Sequence, residues 1–94
     1  MKHRLYLIDA MHDGDSWVHN ETFLVGNVRD RDVMNPDGTP RGDSDLLAVF
    51  RRAGIDTSDT EIETSGGDPE FITLVSRAPD EDRMPIAEIE ILIL

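Results

Sequence analysis

The sequence predicts an α+β fold: a single small domain over residues 1–94, with a mostly antiparallel sheet of about five strands and one helix packed on one face. Three observations predict it. Only residues 44–54 repeat their apolar positions at helical spacing. Five other stretches alternate or cluster apolar, β-branched and aromatic residues at strand spacing. The connections between them are short, which favours antiparallel neighbours. The expected order is ββαβββ, with no internal repeat and no domain boundary.

The first strand is residues 3–11, "HRLYLIDAM". Leu5 and Leu7 fall on one face and Tyr6, Ile8 and Ala10 on the other, as in a central strand covered on both sides. Asp13-Gly14 then reads as a two-residue hairpin turn, because such a turn needs positive φ. Residues 17–28, "WVHNETFLVGNV", are the return strand. In simple alternation Trp17 shares a face with His19, Glu21, Phe23 and Val25, and is expected to lie as a lid at the rim of the core.

Residues 29–43, "RDRDVMNPDGTPRGD", read as a solvated polar connection. Within it "NPDG" is a β-turn signature, with Pro36 preset for the second position and Gly38 closing the turn. A calcium loop aligned on Gly38 would put Val33 at the first ligand position and Ser44 at the last, so that comparison fails. The tripeptide "RGD" at 41–43 belongs to the same loop.

The helix at 44–54, "SDLLAVFRRAG", has its punctuation in order. Asp43 or Ser44 is the expected cap, and Asp45 suits the positive end of the helix dipole. Leu46, Val49, Phe50 and Ala53 form the apolar stripe. Arg51 and Arg52 fall in the last turn, and Gly54 stops the helix. Three strands follow at 60–64, 70–78 and 86–94, separated by "SGGDP" and the acidic turn "APDEDRMP". In the last, Ala87, Ile89, Ile91 and Ile93 share one face, with Glu88 and Glu90 on the other.

The charge is the strongest functional indicator. Twenty acids against nine bases give a formal net charge of −11 at pH 7. Such a chain repels nucleic acid and anionic lipid, so neither DNA, RNA nor a membrane is an expected direct partner. A basic protein surface is. The chain has only one lysine against eight arginines, which suits a high-GC genome or a salt-adapted host, and salt adaptation is the plainer source of the acidity. From Ala53 to Ser76 there are six acids (Asp56, Asp59, Glu61, Glu63, Asp68 and Glu70) and no base. Glu61 and Glu63 alternate on one strand and Glu88 and Glu90 on another, while Asp80, Glu81 and Asp82 occupy the turn between. Same-face strand residues lie roughly 6.6 Å apart, a spacing able to imitate a row of phosphates. These eleven acids are the expected partner-binding residues.

Catalytic patterns are missing. None of the serines has a Gly-x-Ser-x-Gly context, and "SGGDP" lacks the Gly-Lys-Ser/Thr ending of a phosphate loop. No cysteine is present, which removes disulfides and thiolate chemistry and fits a reducing, cytoplasmic setting. The basic start "MKHR" precedes an apolar run too short for a signal core, and "IEILIL" is too short for a membrane span. The expected protein is a non-enzymatic inhibitor or adaptor without a cofactor. It would bind a basic surface of a nucleic-acid-handling protein, as DNA mimics of the anti-restriction or anti-CRISPR type do for phages and mobile elements. Two alternatives stand beside it. The apolar C-terminal strand could pair with a second copy as a homodimer, or Asp9, His12, Asp13, Asp15 and His19 could bind a divalent metal.

Overall fold

The computed structural model describes residues 2–67, 70–77 and 83–92. The chain forms β1 (Lys2–His12), β2 (Trp17–Arg29), α1 (Asp30–Val33), α2 (Asp43–Arg52), β3 (Thr60–Ser65), β4 (Glu70–Ser76) and β5 (Pro85–Ile91). The strands make one sheet in the order β2-β1-β5-β4-β3, antiparallel throughout. The α+β class with a five-stranded antiparallel sheet is therefore the fold of this protein. The chain leaves one edge at β2, crosses a face of the sheet through α1 and α2, and re-enters at the opposite edge as β3.

That crossing builds the core. Leu46, Val49 and Phe50 of α2 press onto Leu5 of β1, Ile72 and Leu74 of β4, and Ala87, Ile89 and Ile91 of β5, all buried in one cluster. The register explains why these residues meet. Leu5 faces Ile89 and Ile89 faces Ile72, and in the next row Ala87 faces Leu74, so two apolar rows run under the helix, while Leu7, opposite Ala87, lies beyond it and is exposed. Ala53, expected to extend the stripe, is exposed as the C-cap residue.

Both ends of α2 have local causes. The N-cap is Gly42, with no side-chain capping bond, so Asp43 and Ser44 fall inside the helix instead of capping it. Asp43 and Asp45 still favour the positive dipole end. At the C-terminus Gly54 adopts φ +88°, where a β-carbon would be strained. Its N–H donates to Arg51 O (3.0 Å) and that of Ile55 to Phe50 O (3.2 Å). Buried Ile55 then seals the end of the helix, as expected when a helix closes on a left-handed glycine.

The connection at 29–43 departs from the solvated loop expected of it. Residues Asp30–Val33 form a short helical turn, and Val33 and Met34 are buried. Met34 bridges to Pro40, and the N–H of Arg41 donates to Val33 O at 2.8 Å. Between them the "NPDG" turn closes with Gly38 N–H on Asn35 O (3.0 Å), while Asp37 accepts from the Thr39 hydroxyl at 2.6 Å. The Thr39 hydroxyl and, after it, the Thr39 N–H hold the Asp37 carboxyl below its usual range. Alternating charge hid two core residues here.

His3 is buried as completely as any apolar residue. Its Nδ1 accepts the Leu92 N–H at 2.9 Å, so the proton sits on Nε2, which donates to Asp30 Oδ1 at 2.7 Å. One ring thus ties the start of β1 to the first residue of α1 and to the chain just after β5.

The β1–β2 hairpin corrects the expected phase. Its loop spans four residues, 13–16, closed by Asp13 N–H on Ser16 O, and His12 pairs with Trp17. Gly14 takes φ +101°. Two bulges then interrupt β2: Val25 is unmatched between the Leu5–Gly26 and Tyr6–Leu24 pairs, and Asn20 between Asp9–Glu21 and Ala10–His19. Each bulge shifts the alternation by one residue. Phe23 consequently lies on the helix side with Leu7, while Trp17, His19 and Leu24 lie on the other face. Trp17 is therefore no lid beneath the helix; it packs edge-on against His12, with ring centroids 5.1 Å apart.

Truncating the core should separate these two environments. Phe50→Ala should cost about 3–5 kcal/mol of unfolding free energy, because it opens a cavity under α2. Phe23→Ala, at a residue 51% exposed, should cost about 1 kcal/mol or less. Urea denaturation of the two variants measures both, and equal losses would contradict the assignment of Phe23 outside the core.

Candidate acidic interface

Among the described residues, the face of the sheet opposite α2 carries no helix. Strand alternation puts Glu61 and Glu63 of β3 there, with Phe71, Thr73 and Val75 of β4, Glu88 and Glu90 of β5, and Arg4 and Tyr6 of β1. The register sets the spacing. Glu63 pairs with Thr73, Thr73 with Glu88 and Glu88 with Tyr6, so one row crosses four strands. Glu90 occupies the next row between Phe71 and Arg4. Glu63 and Glu88 stand two strands apart, roughly 10 Å, and Glu88 and Glu90 roughly 7 Å apart along β5.

Four of the eleven expected binding acids, Glu61, Glu63, Glu88 and Glu90, thus share one face. Of the others, the three that are described do not join them. Asp56 and Asp59 lie in the loop between α2 and β3, and Glu70 begins β4 with alternation that points it to the helix side. Asp68, Asp80, Glu81 and Asp82 lie outside the described residues. Asp56 has a local duty: its carboxylate accepts the Ser58 N–H at 2.9 Å, which lowers its pKa. Asp59 takes φ +52°, and its carbonyl accepts the Arg77 N–H at 2.8 Å. Both build the turn into β3.

The four glutamates differ in environment. Arg83 reaches across β3, pairing with Glu61 and, at 3.0 Å, with Glu63. Arg4 lies 3.9 Å from Glu90. The row is therefore partly neutralised from within, which the base-free run from Ala53 to Ser76 concealed, since both arginines come from distant sequence. Exposed pairs of this kind contribute about 1 kcal/mol or less. They exchange readily for an outside cation. Glu88 is different: it is only 9% exposed and has no ion pair among the described contacts. Burial pushes its pKa above the usual 4.5; a charged His19 on the same face pulls it down, and Glu90 adds to the rise.

The histidine-rich turn resolves as hydrogen-bonded structure. Asp13 Oδ1 accepts the N–H groups of Asp15 (2.9 Å) and Ser16 (2.8 Å), and these bonds hold its carboxyl below the usual range. His12 Nδ1 accepts the Gly14 N–H at 3.1 Å, and Asp9 accepts from the bulged Asn20 at 3.0 Å. Among the described residues no three His, Asp or Glu side chains converge to hold a metal ion. The histidine that organises the structure, His3, lay outside the motif. Its signal was position: a polar side chain in phase with Leu5 at the start of an apolar strand.

The buried glutamate gives a pH test with a definite sign. A carboxyl raised in the folded state binds its proton more tightly there than in the unfolded chain. Its contribution is therefore full below pH 4.5 and is lost as pH rises through the raised folded value. Glu88→Gln should raise the melting temperature at pH 7, and the advantage over wild type should shrink towards pH 4.5. An advantage independent of pH, or none at neutrality, would contradict the burial of a charged carboxylate.

Among the described residues no helix is long and apolar enough to cross a membrane. Compared with known proteins, the chain matches no family model, no curated protein and no solved structure, so its own geometry carries the functional reading.

Proposed function

We propose that this protein is a small cytoplasmic, non-enzymatic inhibitor or adaptor whose helix-free sheet face binds a basic surface of a nucleic-acid-handling protein. The supporting observation is the gathering of Glu61, Glu63, Glu88 and Glu90, from strands that β4 separates, onto one face. They form a staggered set of carboxylates roughly 13 Å along the strands and roughly 10 Å across them, with steps of roughly 7 Å comparable with the charge spacing that a nucleic-acid-binding groove meets on a phosphate backbone. A net charge of −11 extends the attraction beyond contact and would speed encounter with a cationic partner. On this reading the protein is a decoy of the DNA-mimic type used by phages and mobile elements. Arg83 and Arg4 act as stand-ins that a partner's arginines displace.

The alternative of self-association through the C-terminal strand has less support. Residues 87–90 of β5 pair with β1 on one side, and residues 85–91 pair with β4 on the other. The strand is central, and Ala87, Ile89 and Ile91 are core, while Ile93 and Leu94 lie outside the described residues.

The test is binding to purified nucleases and DNA-binding proteins across a salt series, with duplex DNA as competitor. Affinity should fall steeply with salt, DNA should compete, and Glu63→Lys with Glu90→Lys should abolish binding without unfolding the protein. Arg83→Gln should tighten it by unmasking Glu61 and Glu63. Binding that ignores salt and survives both charge reversals would refute the proposal.

A further inference from the structure

All six exposed large apolar residues among those described (Leu7, Met11, Val18, Phe23, Leu24 and Val25) sit on the β1–β2 hairpin. The hairpin outruns the sheet. β1 pairs with β5 only through residues 4–7, so residues 8–12 and 17–22 project as a two-stranded ribbon. Such a ribbon is marginal in water unless something pairs with it or packs on it. β2 is its outer strand and an edge of the whole sheet, thirteen residues long.

Apart from its two bulges, this edge carries little of the protection that edges ordinarily have. Its centre is the unbroken run Phe23-Leu24-Val25, with Phe23 on the helix side and Leu24, 62% exposed, on the other face. Apolar side chains on both faces put no charge in the way of another strand, and among the described residues β2 pairs with β1 alone. Its charge is equally out of character. In a chain of net charge −11, β2 holds one acid, Glu21, and one base, Arg29. Two copies of so acidic a chain meet less repulsion here than at the glutamate-bearing edge β3. The opposite edge, β3, is six residues long, carries Glu61 and Glu63, and is spanned by Arg83. One edge is guarded and the other is open.

From this we infer that β2 is a self-association edge: two copies of this chain pair antiparallel, β2 against β2, about a two-fold axis near Phe23. The bulges at Asn20 and Val25 bracket the regular run 21–24 and set the limits of pairing. A two-fold centred on Phe23 brings each Phe23 opposite its counterpart and each Leu24 opposite Thr22. Cross-strand side-chain contacts then form on both faces at once, with the two ribbons joined as four strands. The two acidic faces remain free, because β3 lies at the far edge of each copy. This pairing does not rest on the proposed function.

Sedimentation equilibrium over a concentration series tests it. The wild-type protein should move from 10.6 kDa towards twice that mass as concentration rises. Phe23→Lys and Leu24→Lys should each weaken the dimer about thirtyfold or more, as loss of a central contact does. Their melting temperatures at dilution should stay close to wild type. Glu63→Gln, at the far edge, should leave the dimer unchanged. Amide exchange on the wild-type protein needs no variant: residues 21–24 should gain protection with concentration, while those of β3 should not. A mass fixed at 10.6 kDa overturns the inference. So does a dimer that both lysine variants retain, or one that protects β3 instead of β2.

Discussion

One ten-residue helix has to seal a five-stranded sheet, and the rest of the molecule follows from how little it can cover. At roughly 1.5 Å per residue α2 is about 15 Å long, against a sheet about 20 Å across and strands up to thirteen residues. It is seated over β1, β5 and β4, where Leu5, Ile89 and Ile72 line up across three strands. Apolar residues under that footprint are buried. Residues of the same kind beyond it, such as Leu7, Met11 and Phe23, remain in water although they share the face. On the opposite face no described helix gives such cover, and Arg83 pairs there with Glu61 and Glu63 across β3.

The crossover that delivers the helix is also what fastens the chain ends. The path from β2 to α2 must turn at the top of β1, and buried His3 occupies that corner. Asp30 takes its Nε2 proton and the Leu92 N–H fills Nδ1, so both ring nitrogens are satisfied. A buried imidazole left with an unpaired nitrogen would cost about 1–3 kcal/mol. The short helical turn Asp30–Val33 presents Asp30 to the ring and buries Val33 beside α2. A charged connection is thereby held against the core at two points.

Much of this was legible in the sequence because local rules and tertiary demands agreed. Leu46, Val49 and Phe50 kept helical spacing, Gly54 stopped the helix, and Ala87, Ile89 and Ile91 alternated with Glu88 and Glu90. What failed had nonlocal causes. The bulges at Asn20 and Val25 interrupt the alternation of β2, and a one-residue shift moved Trp17 off the face where simple alternation put it. The N-cap moved to Gly42 because the Met34–Pro40 bridge and the ion pair of Arg41 with Asp45 fix the approach to the helix. The candidate site divided in the same way. Alternation correctly paired Glu61 with Glu63 and Glu88 with Glu90, but the guanidiniums that reach them, from Arg4 and Arg83, are visible only once the strands are ordered.

Limited coverage by one helix predicts a gradient of stability along a single strand, and native-state hydrogen exchange in dilute protein measures it directly. Amides of Leu5, Ile72 and Ile89, paired in the rows beneath α2, should exchange only through global unfolding. Those of Met11 and Val18, in the ribbon beyond β5, should exchange orders of magnitude faster through local opening. Uniform protection from Leu5 to Met11 would mean that the ribbon draws its stability from something other than the helix-covered core, and would contradict the account.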